Sequence, residues 1–219
     1  MVKKYLFALC VLALSVFFMF CRGVICAEEI ESPISLGMLE EKISSFKPNP
    51  KYKDDKAGLV TLQEALAAVK EGNHGIGACL VREKTGEVVQ RGHNRVYKPY
   101  YRSDLHAEMD TLTGYEQRVK AQSPKMEGLV LYTSLEPCPM CLARIINSGV
   151  KKVYYLAPDP ERGMVHLFKN LPPAWQEVAK GRSYGPAQCS PEMKDLANEV
   201  FQYSLKVSDK KPKNKKCNY

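Results

Sequence analysis

The chain has 219 residues, 45% hydrophobic and 26% charged, enough to bury one sizeable core and few enough to be one domain with attachments. Its formal net charge of +8 is uneven: Lys3, Lys4 and Arg22 give residues 1–27 a charge of +3, six lysines and Asp209 give 206–219 a charge of +5, and 28–205 is neutral. A neutral body excludes the broad basic face that replaces counterions along a nucleic-acid backbone; only local clustering of Arg82, Arg91, Arg95 and Arg102 would supply one.

Lys3 and Lys4 precede a run from Tyr5 to Phe20 that is apolar except for Ser15, and Ile25-Cys26-Ala27 precedes the acidic Glu28-Glu29. A basic start, a short apolar run and a small-residue cleavage site describe a secretory signal peptide over 1–27. The expectation is an exported chain, periplasmic or secreted, without stable membrane association after cleavage; an uncleaved N-terminal anchor is the lesser reading. Cys21 and Cys26 follow Phe20 and Ile25, where a lipid-acceptor cysteine wants a small neighbour, which disfavours a lipoprotein.

Residues 28–57 are read as a polar N-terminal extension with one short amphipathic helix on Leu36, Leu39, Ile43 and Phe46. The domain proper, 58–205, opens with Leu62, Leu66 and Val69 at helical spacing to about Glu71. His74 reads as a surface turn residue. Ile76–Arg82 and Val88–Gly92 flank the turn Lys84-Thr85-Gly86-Glu87 as a hairpin. Tyr97, Tyr100 and Tyr101 follow in a loop, either stacking on a flat ligand or anchoring the loop.

A helix is expected after His106, with Met109, Leu112 and Tyr115 at roughly helical spacing. Residues 128–133 read as a buried strand, Leu142, Ile145 and Ile146 as a helix stopping at Gly149, and Val150–Leu156 as the next strand. Strand, helix and strand in that order make a parallel βαβ unit. The expected whole is a three-layer α/β/α sandwich with a mixed sheet of about five strands. Residues 158–182, with Pro172-Pro173, Trp175 and His166, carry no readable pattern, and His166 reads as a surface histidine. Tyr184–Cys189 gives a last strand and Pro191–Tyr203 a last helix, with 206–219 a basic disordered tail.

Chemistry concentrates in His106-Ala107-Glu108 and Pro137-Cys138-Pro139-Met140-Cys141. One imidazole and two thiolates are good zinc ligands, and three protein ligands leave the fourth tetrahedral corner open for water. Two thiolates cancel the metal's charge, so that water still ionises near neutral pH. In mid-helix, residues two apart diverge; His106 and Glu108 share a site only if the metal lies off a helix's first turn. Glu108 is then a proton carrier rather than a ligand. Cys138 and Cys141 lie on one face of a second helix start, where Pro137 and Pro139 are tolerated and the positive end favours thiolates. Of the remaining cysteines, Cys79 reads as a small buried hydrophobe, and whether Cys79, Cys189 and Cys217 form a disulfide is not readable.

The two motifs in this order match the zinc-deaminase signature. From about Leu59 to Tyr203 the sequence resembles the cytidine and deoxycytidylate deaminase superfamily, in its nucleobase and tRNA-adenosine branch, where Thr133-Ser134-Leu135-Glu136-Pro137-Cys138-Pro139-Met140-Cys141-Leu142 would look at home. The resemblance implies Zn²⁺ on His106, Cys138 and Cys141, Glu108 as catalytic acid and base, Asn94 as a substrate contact, and commonly a homodimer. It implies hydrolytic deamination of a nucleobase or nucleoside, guanine or cytosine type favoured, with a tRNA adenosine deaminase as the alternative. Where the family often shows Asp-Pro-Thr before the histidine, this chain has Arg102-Ser103-Asp104-Leu105, a departure at the pocket rim. A thiol-disulfide oxidoreductase would place Cys-x-x-Cys near its first strand and leave His106 and Glu108 idle. A non-catalytic zinc-binding protein would close the site with a fourth ligand, and none is evident.

Overall fold

The computed structural model describes residues 34–120 and 126–209. The signal-peptide reading of 1–27 lies outside the described residues, as do 28–33 of the extension and 210–219 of the tail.

Five strands form one mixed sheet in the order β2-β1-β3-β4-β5: β1 (Gly77–Arg82), β2 (Val88–His93), β3 (Leu129–Leu135), β4 (Lys152–Ala157) and β5 (Ser183–Pro186). β1 pairs antiparallel with β2 and β3, while β3–β4 and β4–β5 are parallel. The helices are α1 (Leu36–Ser45), α2 (Asp55–Glu71), α3 (Ala107–Val119), α4 (Pro139–Ser148), α5 (Pro173–Val178) and α6 (Pro191–Asp209).

Strand alternation sorts the side chains into two faces. Ala78, Leu80, Leu129, Leu131 and Val153 pack with Ala107, Leu112 and Tyr115 of α3 and Ile145 of α4. Cys79, Val81, Val130 and Tyr132 face the other way, towards Ala57 of α2. On that second side a larger cluster joins α1, α2 and α6 through Leu39, Ile43, Leu62, Leu66, Met193 and Val200. This is the three-layer α/β/α sandwich with a mixed five-stranded sheet that the sequence pattern predicts.

The α2 layer sits hard on the sheet. A Cβ at Gly77 would fall 2.2 Å from the carbonyl oxygen of Thr61 and 2.4 Å from the amide nitrogen of Ala65, so only glycine admits α2 at this depth. The helix ends at Gly72, whose φ of 88° carries the left-handed cap, its N–H donating to Ala68 and Val69. α4 uses the same grammar, with Pro139 in its first turn and Gly149 at φ 83°.

Several boundaries differ from the sequence expectation. α2 begins at Asp55, not near Leu59, because two buried carboxylates anchor its start. Asp54 accepts from the Tyr132 hydroxyl (2.7 Å) and the Gln188 N–H (2.7 Å), and Asp55 accepts from the N–H groups of Ser190 (2.8 Å) and Asn49 (3.0 Å). The same bonds end β5 at Pro186 by drawing 187–190 towards α2. α6 continues to Asp209, so 206–209, expected within a disordered tail, are helical; Leu205 packs on the core and carries the helix past Tyr203. Residues 158–182 hold a 3₁₀ turn (Phe168–Asn170) and α5, whose Phe168, Leu171 and Trp175 pack beside Leu142, Ile146 and Tyr155. Proline pairs and a short apolar set conceal such elements from periodicity.

His93 at the end of β2 is buried between two carboxylates of α2. Nδ1 lies 2.9 Å from Glu64 and Nε2 3.1 Å from Glu71, with Arg95 3.3 Å from Nε2. Burial opposes the charge, but the hydrogen bonds to Glu64 and Glu71 outweigh it and hold the imidazole above its ordinary value of 6.5. A raised pKa contributes stability that is complete below the unfolded value and lost as pH rises through the folded one. His93→Gln is therefore expected to cost about 1.5–3 kcal/mol at pH 5.5, the gap from wild type narrowing by pH 9. Urea unfolding at both pH values checks this, and a pH-independent gap would refute the charged clamp.

Candidate active site

Two helix N-termini converge beside the end of β3. His106 is the residue before α3 and Cys138 the residue before α4, both with extended backbone (φ −73°, ψ 166° and φ −69°, ψ 170°). His106 Nδ1 lies 3.6 Å from Cys138 Sγ and 3.5 Å from Cys141 Sγ, and the three ligand atoms all fall within 4.8 Å of one another. Ordinary Zn–N and Zn–S bonds at tetrahedral angles separate nitrogen and sulfur by about 3.6 Å. The donor set therefore fits zinc in both chemistry and spacing. Among the described residues it is the one His/Cys/Asp/Glu cluster of this kind.

The electrostatics of the triad agree. A hydrogen bond from the Cys141 thiol is the largest influence on Cys138, pulling it down to about 4 against the opposing effect of burial. Cys141 is pushed up, first by that same shared proton and then by burial. The bond to Cys138 likewise raises His106. The Cys138 sulfur is thus the one that favours thiolate, and a divalent cation would favour it on both.

Glu108 lies in the first turn of α3, fully buried, with Oε1 accepting from the Thr133 hydroxyl at 3.2 Å. Burial first, and the Cys138 charge second, push its carboxyl above the usual range. His106, Glu108, Cys138 and Asn94 line one cleft of about 210 Å³. Asn94 is buried, with its N–H donating to Ile76 and Oδ1 accepting from Val96. Its Nδ2 has no partner among the described residues.

Several wall residues escaped the sequence reading. His74, expected as a plain turn residue, lines the cleft and stacks on Tyr97 (ring centroids 5.2 Å, interplanar angle 26°), with Nε2 3.3 Å from the Tyr97 hydroxyl. Asn73 fixes that rim by accepting from the N–H groups of Tyr97 and Lys98. Glu136 is buried in the wall, accepting from the N–H groups of Asp159 and His166 and bonding His166 Nδ1 at 2.8 Å. His166 is exposed, as expected of a surface histidine, and its ring is tied to this wall residue. Phe201 of α6 and Arg162 complete the lining used below. A glycine-containing turn, Asp159-Pro160-Glu161-Arg162-Gly163, was the one sequence signal for this wall.

The family described as cytidine and deoxycytidylate deaminase zinc-binding region matches residues 52–157. A tRNA-specific adenosine deaminase of Aquifex aeolicus is 35% identical over 144 residues, which cover 65% of this chain and 90% of that protein. The chain belongs to the cytidine and deoxycytidylate deaminase family. A tRNA-specific adenosine deaminase of Bacillus subtilis is 39% identical over 111 residues, and the chain spans 65% of its length. A cytosine deaminase of Candida albicans is 35% identical over 102 residues, 46% of this chain and 64% of that one. Among solved structures, one from a study of A-to-I editing by tRNA:A34 deaminases superposes with TM-score 0.55 at 26% identity, covering 66% of this chain and 98% of the other. Guanine deaminase from Nitrosomonas europaea shares the fold at TM-score 0.53 and 19% identity, over 75% and 91%.

Membership of this zinc family and the spacing of the donor set agree on Zn²⁺ as the cofactor. Purified protein is expected to hold about one zinc per chain; Cys141→Ala and His106→Ala should each hold less than about a tenth of that. Zinc at a hundredfold excess over its Kd should stabilise the stripped protein by about 2.7 kcal/mol. Elemental analysis with thermal unfolding tests both, and full zinc content in Cys141→Ala would exclude the assigned ligand set.

Proposed function

We propose that this chain is a zinc-dependent hydrolytic deaminase of an amino-substituted nucleobase, free or as a nucleoside, with guanine or cytosine type bases favoured. The observation that carries this reading is one cleft holding the donor triad, a buried carboxylate and a free side-chain amide. At about 210 Å³ the cleft is smaller than the pockets of drug-sized ligands and suits a single flat heterocycle. The likeness to a cytosine deaminase supports a small substrate. Export through residues 1–27 would place the enzyme among free bases and nucleosides.

Zinc held by His106, Cys138 and Cys141 supplies activation of water at neutral pH. The Glu108 carboxylate, oriented by the Thr133 hydroxyl on Oε1, takes the water's proton. The same carboxyl then passes that proton to the ring nitrogen beside the attacked carbon, takes the second proton from the hydroxyl now on that carbon, and gives it to the exocyclic amine, which leaves as ammonia as the carbonyl forms. Water and base are consumed, and the oxo-base and ammonia are formed. Asn94 Nδ2 donates to the base edge and sets its orientation, and burial of Glu108 keeps bulk water from short-circuiting the proton.

The relatives named as tRNA-specific adenosine deaminases support a second reading, deamination of adenosine in tRNA. That reading asks for an uncompensated basic face. Arg82, Arg91, Arg95 and Arg102 do not provide it, because each is ion-paired, with Glu87, Glu64, Asp110 and Asp104 in turn.

Ammonia release by zinc-loaded protein is expected with one member of a panel of free bases and nucleosides. Glu108→Gln should keep its zinc and lose at least about a hundredfold in kcat, the low end of general acid–base effects. Activity confined to tRNA would move the assignment to the second reading, and an active Glu108→Gln protein would remove the proton-carrier role.

A further inference from the structure

The cleft carries one cation that the deamination chemistry does not use. Of the seven other arginines of the described residues, six donate to a carboxylate, a side-chain amide or a backbone carbonyl, and Arg95 donates to the His93 ring and is ion-paired with Asp110. The Arg162 guanidinium has no hydrogen bond or ion pair among the described residues, and the residue is exposed on the cleft wall. Its backbone, by contrast, is firmly held. Asp159 Oδ1 accepts from the N–H groups of Glu161 (3.3 Å) and Arg162 (3.0 Å), and the Gly163 N–H donates to the Asp159 carbonyl. A Cβ at Gly163 would lie 2.5 Å from the Glu136 carboxylate carbon, so the turn is pressed onto the residue two before Cys138. Met164 adds an N–H bond to the Pro137 carbonyl at 2.9 Å. The two wall carboxylates on or against this turn are engaged elsewhere, Asp159 with the N–H groups of its own turn and Glu136 with the N–H groups of Asp159 and His166 and the His166 ring.

A guanidinium on a rigid turn with no internal anion is built for an anion from outside. Its planar fork matches phosphate or carboxylate, and it stays charged throughout the working pH range. The cleft also has a flat-ring wall in the stacked His74 and Tyr97. Arg162 lines the same cleft as His106, Glu108 and Cys138, so a base bound at the zinc ligands has this cation on a neighbouring wall.

We infer that Arg162 is the specificity residue for a phosphate attached to the target nucleoside, either the terminal phosphate of a nucleoside monophosphate or the bridging phosphate of an RNA strand. This rests on the deaminase reading for its substrate class, and the test separates the two. Calorimetry on the zinc-loaded protein would compare inosine, uridine and xanthosine with their 5′-monophosphates, with inorganic phosphate as the minimal competitor. KM and kcat would be measured in parallel for the corresponding amino-nucleosides, their monophosphates and a short RNA hairpin carrying adenosine in its loop. Wild type is expected to bind a monophosphate at least about tenfold more tightly than its nucleoside, the advantage shrinking as salt rises. Arg162→Ala should erase that advantage, raising KM for the phosphorylated substrate about tenfold with kcat unchanged and altering the nucleoside by less than about twofold; Arg162→Lys should restore part of it. Loss on the hairpin alone would assign the bridging phosphate, and loss on the monophosphate the terminal one. Equal binding of nucleoside and monophosphate by wild type, or an advantage that survives Arg162→Ala, would overturn the assignment. Phosphate-dependent binding without ammonia release would retain Arg162 and reject the deaminase reading; ammonia release without phosphate preference would do the reverse.

Discussion

His106 and Cys138 hold corresponding positions, each the last extended residue before a helix, and their ligand atoms must come within about 3.6 Å for one metal to take both. That requirement governs the strands as much as the helices. β3 delivers Cys138, and α3 packs through Ala107 and Leu112 on the face of β1 and β3 that also receives Ile145 of α4. An ion pair between Arg144 and Glu116 ties α3 to α4 away from the metal. Converging helix N-termini also favour thiolate over thiol, so fold and donor chemistry push the same way. Glu108 reaches the site although it is two residues from His106, because the first turn of a helix approached end-on shows positions that diverge further along.

What could be read from the sequence was local. Each half of the site, His106 with Glu108 and Cys138 with Cys141, and the alternation of the strands follow from spacings of two or three residues, which strand and helix geometry translate directly; the two halves, 32 positions apart, were joined by their family signature. The cleft wall could not be read this way. His74 meets Tyr97 across 23 positions and Glu136 meets His166 across 30, and neither pair leaves a periodic trace. His74 looked like a turn residue because it is one; its ring acquires a role only when β2 and the following loop bring Tyr97 beside it. Asn94 shows the same duality, since its Oδ1 closes a turn while its Nδ2 stays free at the cleft. Arg162 was invisible for a different reason. What sets it apart is the lack of a partner, a property of three-dimensional neighbours and not of sequence.

The cysteines divide by environment. Cys79 and Cys189 are buried and free, and burial pushes both thiols up to about 12, which removes the thiolate needed for oxidation or exchange. No disulfide joins them, and Cys217 lies outside the described residues. Cys189 instead fills space, its sulfur 3.2 Å from where a Cβ on Gly58 would sit. Sulfur reactivity is thereby confined to Cys138 and Cys141, where a metal would quench it.

The anchoring of α2 has a further consequence, for the order in which the molecule can assemble. Asp54 and Asp55 find their partners at Gln188 and Ser190, 134 and 135 positions downstream. Until those residues have been made, each carboxylate has only one of its two donors, Tyr132 for Asp54 and Asn49 for Asp55, and burying it half-satisfied is costly. Full anchoring of the start of α2 thus waits on a contact that closes most of the chain into one loop, and such contacts form slowly as well as late.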